Sequence, residues 1–423
     1  MAVPHPRSAL AWRDRFSGGG SLPREVYVLG LIAFCVAVGF GVLVPVLPVF
    51  ARAFGVGNLE VGAVVSAFAL MRLVCSPFCG RLIAVFGERL VLAVGIYVVA
   101  VSSGLAGIST SYAQLLVLRG LGGIGSAMFT VSATTLLLTS VGTGLRGRAA
   151  GFFQAGFLIG GMAGPAIGGL LAAISITAPF FFYAATLAVA GTVGLLLLRT
   201  RSARTDDGPG LAVRPLREVL RDRRFQAACV VNLGQGWSSF GVRSALVPVL
   251  VVEVLHRSTS WTGIAFTCAA VVQTLAVGPA GRFVDRVGRR PAMVLGTLLA
   301  AGSIVTVAFV PNIGLLIAVL CGYGVAAAFL GTAPAAAVGD AAGARGGTPV
   351  AIFSMSSDTG AILGPLVAGF LADQVGYPVA FAVGGALLLV GTLFSVRMPR
   401  EVPHPAAVRA PDPQGSDEPT RVD

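Results

Sequence analysis

The sequence predicts an all-α membrane protein with twelve transmembrane helices in two pseudo-symmetric halves of six. Three observations predict this fold class. Only 11% of the 423 residues are charged while 55% are hydrophobic, which is too little polar surface for a water-soluble globule. About twelve apolar stretches are long enough to cross a bilayer. Landmarks of the first half recur in the second at a nearly constant spacing.

Each half contributes six apolar stretches, and polar or glycine-rich segments separate them. The stretches of the first half are 26–50, 61–79, 90–107, 112–139, 149–174 and 178–198. Those of the second half are 225–254, 262–281, 291–310, 313–338, 349–371 and 377–396. Because one crossing needs about 20 apolar residues, each stretch is predicted to span the membrane once, and the spans are numbered in this order.

Arginine supplies all 30 basic side chains, because the chain has no lysine. If both termini are cytoplasmic, the inner segments hold 25 arginines, the outer loops two and the spans three. This asymmetry predicts a multi-pass protein of the cell (inner or plasma) membrane with both termini in the cytoplasm. The net charge of +12 therefore needs no nucleic acid as a partner, since anionic lipid head groups account for it.

Composition also predicts the domain organisation. Residues 1–25 and 398–423 are polar or rich in proline and charge, which is typical of disordered cytoplasmic tails. The arginine-rich segment 199–224 divides the spans six and six and is predicted to be a cytoplasmic linker. It joins an N-terminal bundle at 26–198 to a C-terminal bundle at 225–397.

An internal repeat supports this division. Three landmarks recur at offsets of 203, 201 and 200 residues, and they are Pro45 with Pro248, Gly87 with Gly288, and Pro165 with Pro365. Two halves with the same direction through the membrane, related by an axis along its normal, produce this pattern. A substrate cavity between two rocking halves is the physical use of such a duplication.

The segment 281–290 lies between the eighth and ninth spans and combines two glycines, an acid and four arginines. We expect a tight turn at the membrane surface. Its candidate residues are Gly281, Asp285, Arg286, Gly288, Arg289 and Arg290, for which the family resemblance given below implies a gating role. In the first-half copy, Ala84 replaces the acid. The alternative is that these arginines only fix the orientation of the chain.

The fifth span carries glycines at four-residue spacing and a Gly-Pro pair. These residues are Gly156, Gly160, Gly164, Pro165, Gly168 and Gly169. The spacing places a flat groove on one helical face, where another backbone can approach, and Pro165 bends the helix. Generic packing of small residues is the alternative interpretation.

Arg119 lies inside the fourth span, where a guanidinium must face protein or water rather than lipid. The corresponding position of the second half has no arginine, so the repeated fold does not require one. We expect Arg119 to face the cavity, where it holds a polar or anionic group or tunes a proton site. A hydrogen bond between helices is the alternative.

These motifs resemble those of the major facilitator superfamily and, within it, of the twelve-span drug:proton antiporter branch. The resemblance covers about residues 26–396, although Gly122 replaces the glutamine usual beside the fourth-span arginine. It implies that Asp285 meets the amino end of the fifth span, near Arg148 and Ala149, and helps to latch the outward-facing state. Backbone donors and the helix dipole favour an anion there.

The coupling of transport to protons depends on few ionisable groups. The first span has no acid, although many exporters of this branch carry one there. Asp358 lies about nine residues into the eleventh span, roughly 13 Å deep at a rise of 1.5 Å per residue. A carboxyl group at that depth favours its protonated form and is a candidate proton carrier. Its alternative role is to pack the interface between the halves, bonded to a neighbouring serine.

Several further side chains are candidates for the pathway of substrate and protons. They are Arg243, Asn232, Gln235 and Trp237 on the seventh span and Gln154 on the fifth. Arg72 in the second span is predicted either to reach the membrane surface or to form a structural pair. Aromatic and apolar lining with few charges suits amphiphilic compounds, cationic or zwitterionic ones included.

Other chemistry is excluded by the residues present. The six cysteines lie in apolar spans without histidine or acid nearby, so we expect no metal site, no disulfide and no cofactor. The chain has no phosphate-binding Gly-Lys-Ser/Thr loop, and transport must therefore draw on a gradient. We do not expect the chain to be an enzyme.

We predict a secondary active transporter that exports drugs or hydrophobic, amphiphilic small molecules by proton antiport with alternating access. Its expected partners are a small organic substrate, protons and the lipid bilayer, and we expect a monomer. A facilitator or importer of a small metabolite without proton coupling is the first alternative. A non-transporting membrane sensor is an alternative of another class.

Overall fold

The computed structural model describes residues 22–141, 145–198, 216–342 and 347–399, and these residues are helical, with no strand among them. Residues 1–21 and 400–423 of the predicted tails, and residues 199–215 of the predicted linker, lie outside this part of the chain. Each half has its own cluster of buried apolar residues, one centred on the first six spans and one on the last six.

The first half contains six long helices. Their bounds are Arg24–Leu43, Asn58–Phe86, Glu88–Ala106, Tyr112–Thr139, Arg146–Ile174 and Ala178–Leu197. The first span was predicted to continue to residue 50, but its long helix ends at Leu43 and a short helix, Leu47–Arg52, follows. Pro45 and Pro48 cause the break, because proline has no N–H for the helical ladder.

The second half begins with the short helix Leu216–Arg221 and contains a divided seventh span. The five undivided helices are Thr259–Val287, Arg289–Val307, Ile313–Ala342, Gly347–Gln374 and Tyr377–Val396. The seventh span consists of three consecutive segments: the α-helix Arg223–Gly236, the π-helix Trp237–Leu246 and the α-helix Val247–Glu253.

Eleven helices of the described residues are individually long and apolar enough to cross a membrane. The seventh span is the twelfth crossing, and its three segments are each shorter than a full span. Two of its glycines approach the eleventh span closely. A Cβ on Gly236 would lie 2.1 Å from the carbonyl oxygen of Ser357, and one on Gly241 would lie 2.5 Å from the backbone of Gly364.

The halves meet through the second and eleventh spans and through the fifth and eighth spans. The internal repeat relates these two contacts, because the second span corresponds to the eighth and the fifth to the eleventh. A Cβ on Gly62 would lie 2.1 Å from the carbonyl oxygen of Pro365, and one on Gly263 would lie 2.6 Å from that of Pro165. Glycine is therefore required where each half lays a helix against the bent, proline-containing helix of the other.

The segment 281–290 is mostly helical, which corrects the predicted loop. The eighth span continues to Val287 and the ninth begins at Arg289, so the turn consists of Gly288 alone, with a φ of 114°. Gly281 lies inside the helix with open space around it. The helix continues because Ala280 and Val284, one turn apart, are both buried in the core of the second half.

Candidate functional site

A cavity of about 380 Å³ lies between the two halves. Aromatic side chains from both halves dominate its wall, and they are Phe40, Phe68, Phe129, Phe157, Tyr183, Phe240 and Phe266. Polar groups are fewer and include Ser126, Thr130, Gln273 and Thr274. Gln273 was not among the predicted site residues, although a glutamine in the middle of an apolar span is a recognisable signal.

One end of the molecule, which we call the distal end, holds the two halves together. The first span begins and the last span ends at the opposite end of the molecule, which we call the terminal end. The carboxylate of Asp373 accepts hydrogen bonds from the backbone nitrogens of Asn58 and Leu59, at 2.9 and 2.8 Å. Arg52 donates to Glu253 through its Nε and Nη2, at 2.7 and 3.0 Å. The distal end is therefore closed by charge-assisted hydrogen bonds.

The contacts between the halves continue from the distal end to the middle of the spans. The hydroxyl of Ser66 donates to the carbonyl oxygen of Ile362, at 2.6 Å. About two turns further along the second span, Nη2 of Arg72 donates to Oδ1 of Asp358 on the eleventh span and forms an ion pair. Arg72 also lines the cavity, so the pair lies at the cavity wall.

The partner of Asp358 was not predicted. Arg72 was predicted either to reach the membrane surface or to form a structural pair, and the structure contains the pair. The side chains of Arg72 and Asp358 are 29% and 22% exposed. The residues are 286 positions apart, and the pairing depends on the packing of two helices from different halves.

The predicted gating residues lie at the terminal end. Asp285 and Arg286 are exposed, whereas Arg290 is half-buried. Arg289 forms an ion pair with Asp340 of the same half, with 2.9 Å between Nε and Oδ2. In this arrangement the carboxylate of Asp285 has no recorded hydrogen bond to the first half within the described residues. The latch near Arg148 and Ala149 remains a prediction for a different state of the molecule.

Arg119 is buried, with 5% of its surface exposed, and its guanidinium lies over the ring of Phe68, 4.6 Å from the ring centre. It borders a small chamber of about 30 Å³ that shares Phe40, Val44 and Phe240 with the main cavity. Its Nε has no acceptor within the described residues. The predicted hydrogen bond between helices is therefore not observed for this atom.

Arg243 lines the main cavity directly. Its guanidinium carbon lies 5.4 Å from the ring centre of Phe266 and 5.6 Å from that of Tyr323. Both rings can stabilise the cation through their faces. The Nε of Arg243 is buried without an acceptor in the described part of the chain.

Three predicted pathway residues of the seventh span do not line this cavity. The side-chain nitrogen of Asn232 donates to the carbonyl oxygen of Phe353, at 2.7 Å, and so joins two spans of one half. Trp237 packs against the core of the second half, and Gln235 has a buried Oε1 without a recorded partner there. The same span reaches the cavity through Phe240 and Arg243, because the π-helix from Trp237 onward changes the helical phase.

Gln154 lies outside this cavity and is exposed. It is one helical turn from Leu158 and two from Gly161, which both line the cavity, so it belongs to the same face of the fifth span. Its position is closer to the terminal end. A solute that approached the cavity along this face would pass Gln154 first.

The glycines of the fifth span lie against the backbone of the first. A Cβ on Gly156, Gly160 or Gly168 would lie 2.4, 2.5 or 2.3 Å from a carbonyl oxygen of that span, and one on Gly164 would lie 2.7 Å from Gly41. Gly169 instead approaches the eighth span, and Pro165 lines the cavity. The glycine face therefore holds two helices of one half in backbone contact beside the cavity.

The described residues include no group of three histidine, cysteine or carboxylate side chains that could hold a metal ion. The six cysteines are free thiols. The chemistry available at the cavity is thus ionic pairing, hydrogen bonding and contact with aromatic rings.

A family model supports the fold and its repeat. The model described as Major Facilitator Superfamily matches residues 29–258 and, in a second match, residues 228–418. The two matches together cover most of the chain and divide it near the seventh span.

Similar proteins include transporters and resistance proteins. The chain is 28% identical over 359 residues to Multidrug resistance protein 1 of Bacillus subtilis, covering 82% of this chain and 90% of that protein. It is 27% identical over 355 residues to the human synaptic vesicular amine transporter, covering 81% and 67%. A solved bacterial homologue of the human lysosomal transporter Spinster, titled inward-facing and unoccupied, superposes with a TM-score of 0.70. That structure is 18% identical, covers 89% of this chain and 96% of its own, and indicates the fold.

Proposed function

This chain belongs to the Major Facilitator Superfamily, and from that premise we propose that it exports drugs or other hydrophobic and amphiphilic small molecules in exchange for protons. It is a multi-pass membrane transporter and not an enzyme. The name of the Bacillus relative and the aromatic wall of the cavity support the proposed class of substrate. The arginine distribution supports a cell-membrane location with both termini in the cytoplasm, and we propose a monomer.

The observation that carries proton coupling is the ion pair of Arg72 and Asp358 at the cavity wall. It joins the two halves, and because Arg72 lines the cavity, the carboxylate bonded to it lies beside the space through which we propose that a proton arrives. Protonation of Asp358 would remove the charge that attracts Arg72 and weaken the innermost contact between the second and eleventh spans. Protonation would therefore compete with the ion pair for the carboxylate, and the proton would be released when the pair re-forms.

The exchange cycle follows from this contact. With cytoplasmic termini, the closed distal end faces outward, and the arrangement described here is the one that loads substrate from the cytoplasm. Asp358 is paired with Arg72 in this state, so the ion pair occupies the carboxylate while substrate binds. After the halves rock, protonation of Asp358 from outside would accompany substrate release. The predicted contact of Asp285 with the fifth span would then close the terminal end.

Proteoliposomes with an imposed pH gradient test the proposal. Wild-type protein should drive uphill efflux of a lipophilic dye, and Asp358→Asn should abolish uphill efflux while leaving downhill exchange. Because Asp358→Asn also leaves Arg72 unpaired, the double variant Arg72→Gln/Asp358→Asn is needed. It should recover thermal stability and downhill exchange and still lack gradient-driven efflux. Glu218→Gln, an exposed acid outside the spans, is the matched control and should behave as wild type.

If the double variant regained gradient-driven efflux, Asp358 would be a structural partner of Arg72 and another group would carry the proton. A facilitator or importer is the second candidate function. It is favoured by the first span, which has no acid, and by the cavity wall, whose recorded lining residues include no carboxylate. Exchange at the same rate with and without the pH gradient would support that candidate.

A further inference from the structure

The charges around the cavity are unbalanced. Arg72 and Arg243 line the main cavity, and Arg119 borders the chamber beside it, whereas the recorded lining residues of both spaces include no acid. Asp358 neutralises Arg72. Arg119 and Arg243 contact aromatic rings, and the Nε of each is buried without an acceptor in the described residues. The space therefore carries a net positive charge in this state.

Aromatic contacts do not satisfy a guanidinium completely. Phe266 and Tyr323 can stabilise the charge of Arg243 through their faces, at centre distances of 5.4 and 5.6 Å. The five N–H groups of arginine point outward in the plane of the guanidinium and need oxygen acceptors. A buried cation that lacks acceptors is costly, and an anion that supplies them recovers this free energy.

The other residues of the cavity wall determine which groups a ligand can carry besides its anionic group. Phe129 and Phe157 lie on the side of the first half and Phe240 on that of the second, so an apolar body fits between them. Gln273 and Thr274 offer hydrogen bonds on the eighth span, two turns from Phe266. A volume of about 380 Å³ accommodates a compound with one or two ring systems.

We propose that the cavity binds amphiphilic anions, in which an aromatic or aliphatic body carries a carboxylate, sulfonate or phosphonate that pairs with Arg243. Arg119 lies behind the rings of Phe40 and Phe68, whose centres are 6.0 Å apart, and adds positive potential without direct contact. This inference rests on the proposed transport function and names its substrate class. It replaces the cationic compounds that composition favoured, because two uncompensated guanidinium groups would repel a cation.

Equilibrium binding of three dansyl compounds to the purified protein tests the proposal. Dansylglycine carries a carboxylate, dansylglycinamide is neutral and dansylcadaverine is a cation, while the fluorophore is the same. We expect dansylglycine to bind at least about tenfold more tightly than its amide, which corresponds to about 1.4 kcal/mol. The measurement uses no pH gradient, so its result is independent of whether transport is coupled to protons.

Variants assign the effect to Arg243. Arg243→Gln should weaken dansylglycine about tenfold and leave the amide within about twofold, and Arg243→Lys should retain part of the preference. Arg257→Gln, which removes an exposed arginine at the distal end, is the matched control. The unchanged affinity for the amide reports that the cavity of Arg243→Gln is intact.

Tighter binding of the amide or of dansylcadaverine than of dansylglycine would overturn the proposal. So would an affinity for dansylglycine that Arg243→Gln leaves unchanged. If chloride alone stabilised the protein through Arg243 and dansylglycine bound no better than its amide, the site would belong to an inorganic anion, and the proposal would again fail.

Discussion

Asp373 caps the amino end of the helix that begins at Asn58, although the two residues belong to different halves. One carboxylate oxygen accepts from the backbone and side-chain nitrogens of Asn58, at 2.9 and 2.8 Å, and the other accepts from the backbone nitrogen of Leu59. The first N–H groups of a helix have no partner within it, and its dipole favours an anion there. The distal end therefore uses the type of contact that was predicted for Asp285 at the terminal end.

Asp373→Asn should destabilise the closed distal end. The substitution removes the negative charge and one acceptor, a loss of about 1 kcal/mol, so the ratio of distal-open to distal-closed molecules should rise about fivefold. Electron paramagnetic resonance between spin labels at Ala53 and Arg257, in a cysteine-free background, measures this ratio. Glu218→Gln controls for the loss of an acid elsewhere, and an unchanged distance distribution in Asp373→Asn would contradict the prediction.

The ion pair of Arg52 and Glu253 should respond to charge reversal. The hydrogen bond to Glu253 raises the pKa of Arg52, so the guanidinium stays charged at every accessible pH. Both side chains are about one-third exposed, at 30% and 38%, and the pair should contribute less than about 1 kcal/mol. Arg52→Glu should therefore raise the distal-open population modestly, and adding Glu253→Arg should restore closure.

Spin labels at Ala53 and Arg257 measure the distal distance in this series as well. The coupling between the two substitutions should shrink as salt concentration rises, because the pair is partly exposed. Additive effects of the two reversals, at low salt, would mean that the pair does not contribute to closure.

Gly160→Ala should destabilise the first half. The new Cβ would lie 2.5 Å from the carbonyl oxygen of Phe34 and 2.8 Å from the Cβ of Ala37, so the first and fifth spans would have to separate. Such overpacking costs about 1–3 kcal/mol. Gly161→Ala is the matched control, since Gly161 has nothing within 4 Å of the added Cβ. Equal thermal stability of the two variants in detergent would disprove the backbone contact.

Asp285→Asn should reduce the population of the terminal-closed state. If the carboxylate meets the amino end of the fifth span in that state, its loss should lower the population about threefold, or about 0.6 kcal/mol. Labels at Gly147 and Gly339, where added side chains meet nothing within 4 Å, report the distance across the terminal end. A wild-type distance distribution in this variant would assign the segment 281–290 to orientation alone.

The fold was predictable because its signals are local and repeated. Apolar length identifies each span, and Pro165 with Pro365 reveals the duplication from sequence alone. The boundaries were less predictable. Gly281 and Gly288 look alike in the sequence, but only Gly288 adopts a positive φ, because burial of Val284 keeps the helix continuous past Gly281.

The sequence predicted which types of residue form the site better than it predicted which residues contact each other there. A carboxyl or guanidinium group within a span stands out in the sequence because it is energetically costly in lipid. Asp358, Arg119 and Arg243 were therefore candidates from the sequence alone. The side chains of Asn232, Gln235 and Trp237 were predicted to line the cavity but do not line it in this state, because the π-helix that begins at Trp237 alters which face of the seventh span meets the cavity. Nothing in the local sequence specifies that change of phase.

The sequence by itself determined that the protein lies in a lipid bilayer, how many times it crosses the bilayer, and that its two halves repeat one arrangement. Each of these depends on the composition of neighbouring residues along one chain. The tertiary structure decided the partners: Arg72 with Asp358, and Asp373 with the helix end at Asn58. These contacts join groups about 300 residues apart, and they exist only where the two halves pack against each other. Their physical basis is the position of one rigid bundle relative to the other, which no local pattern encodes.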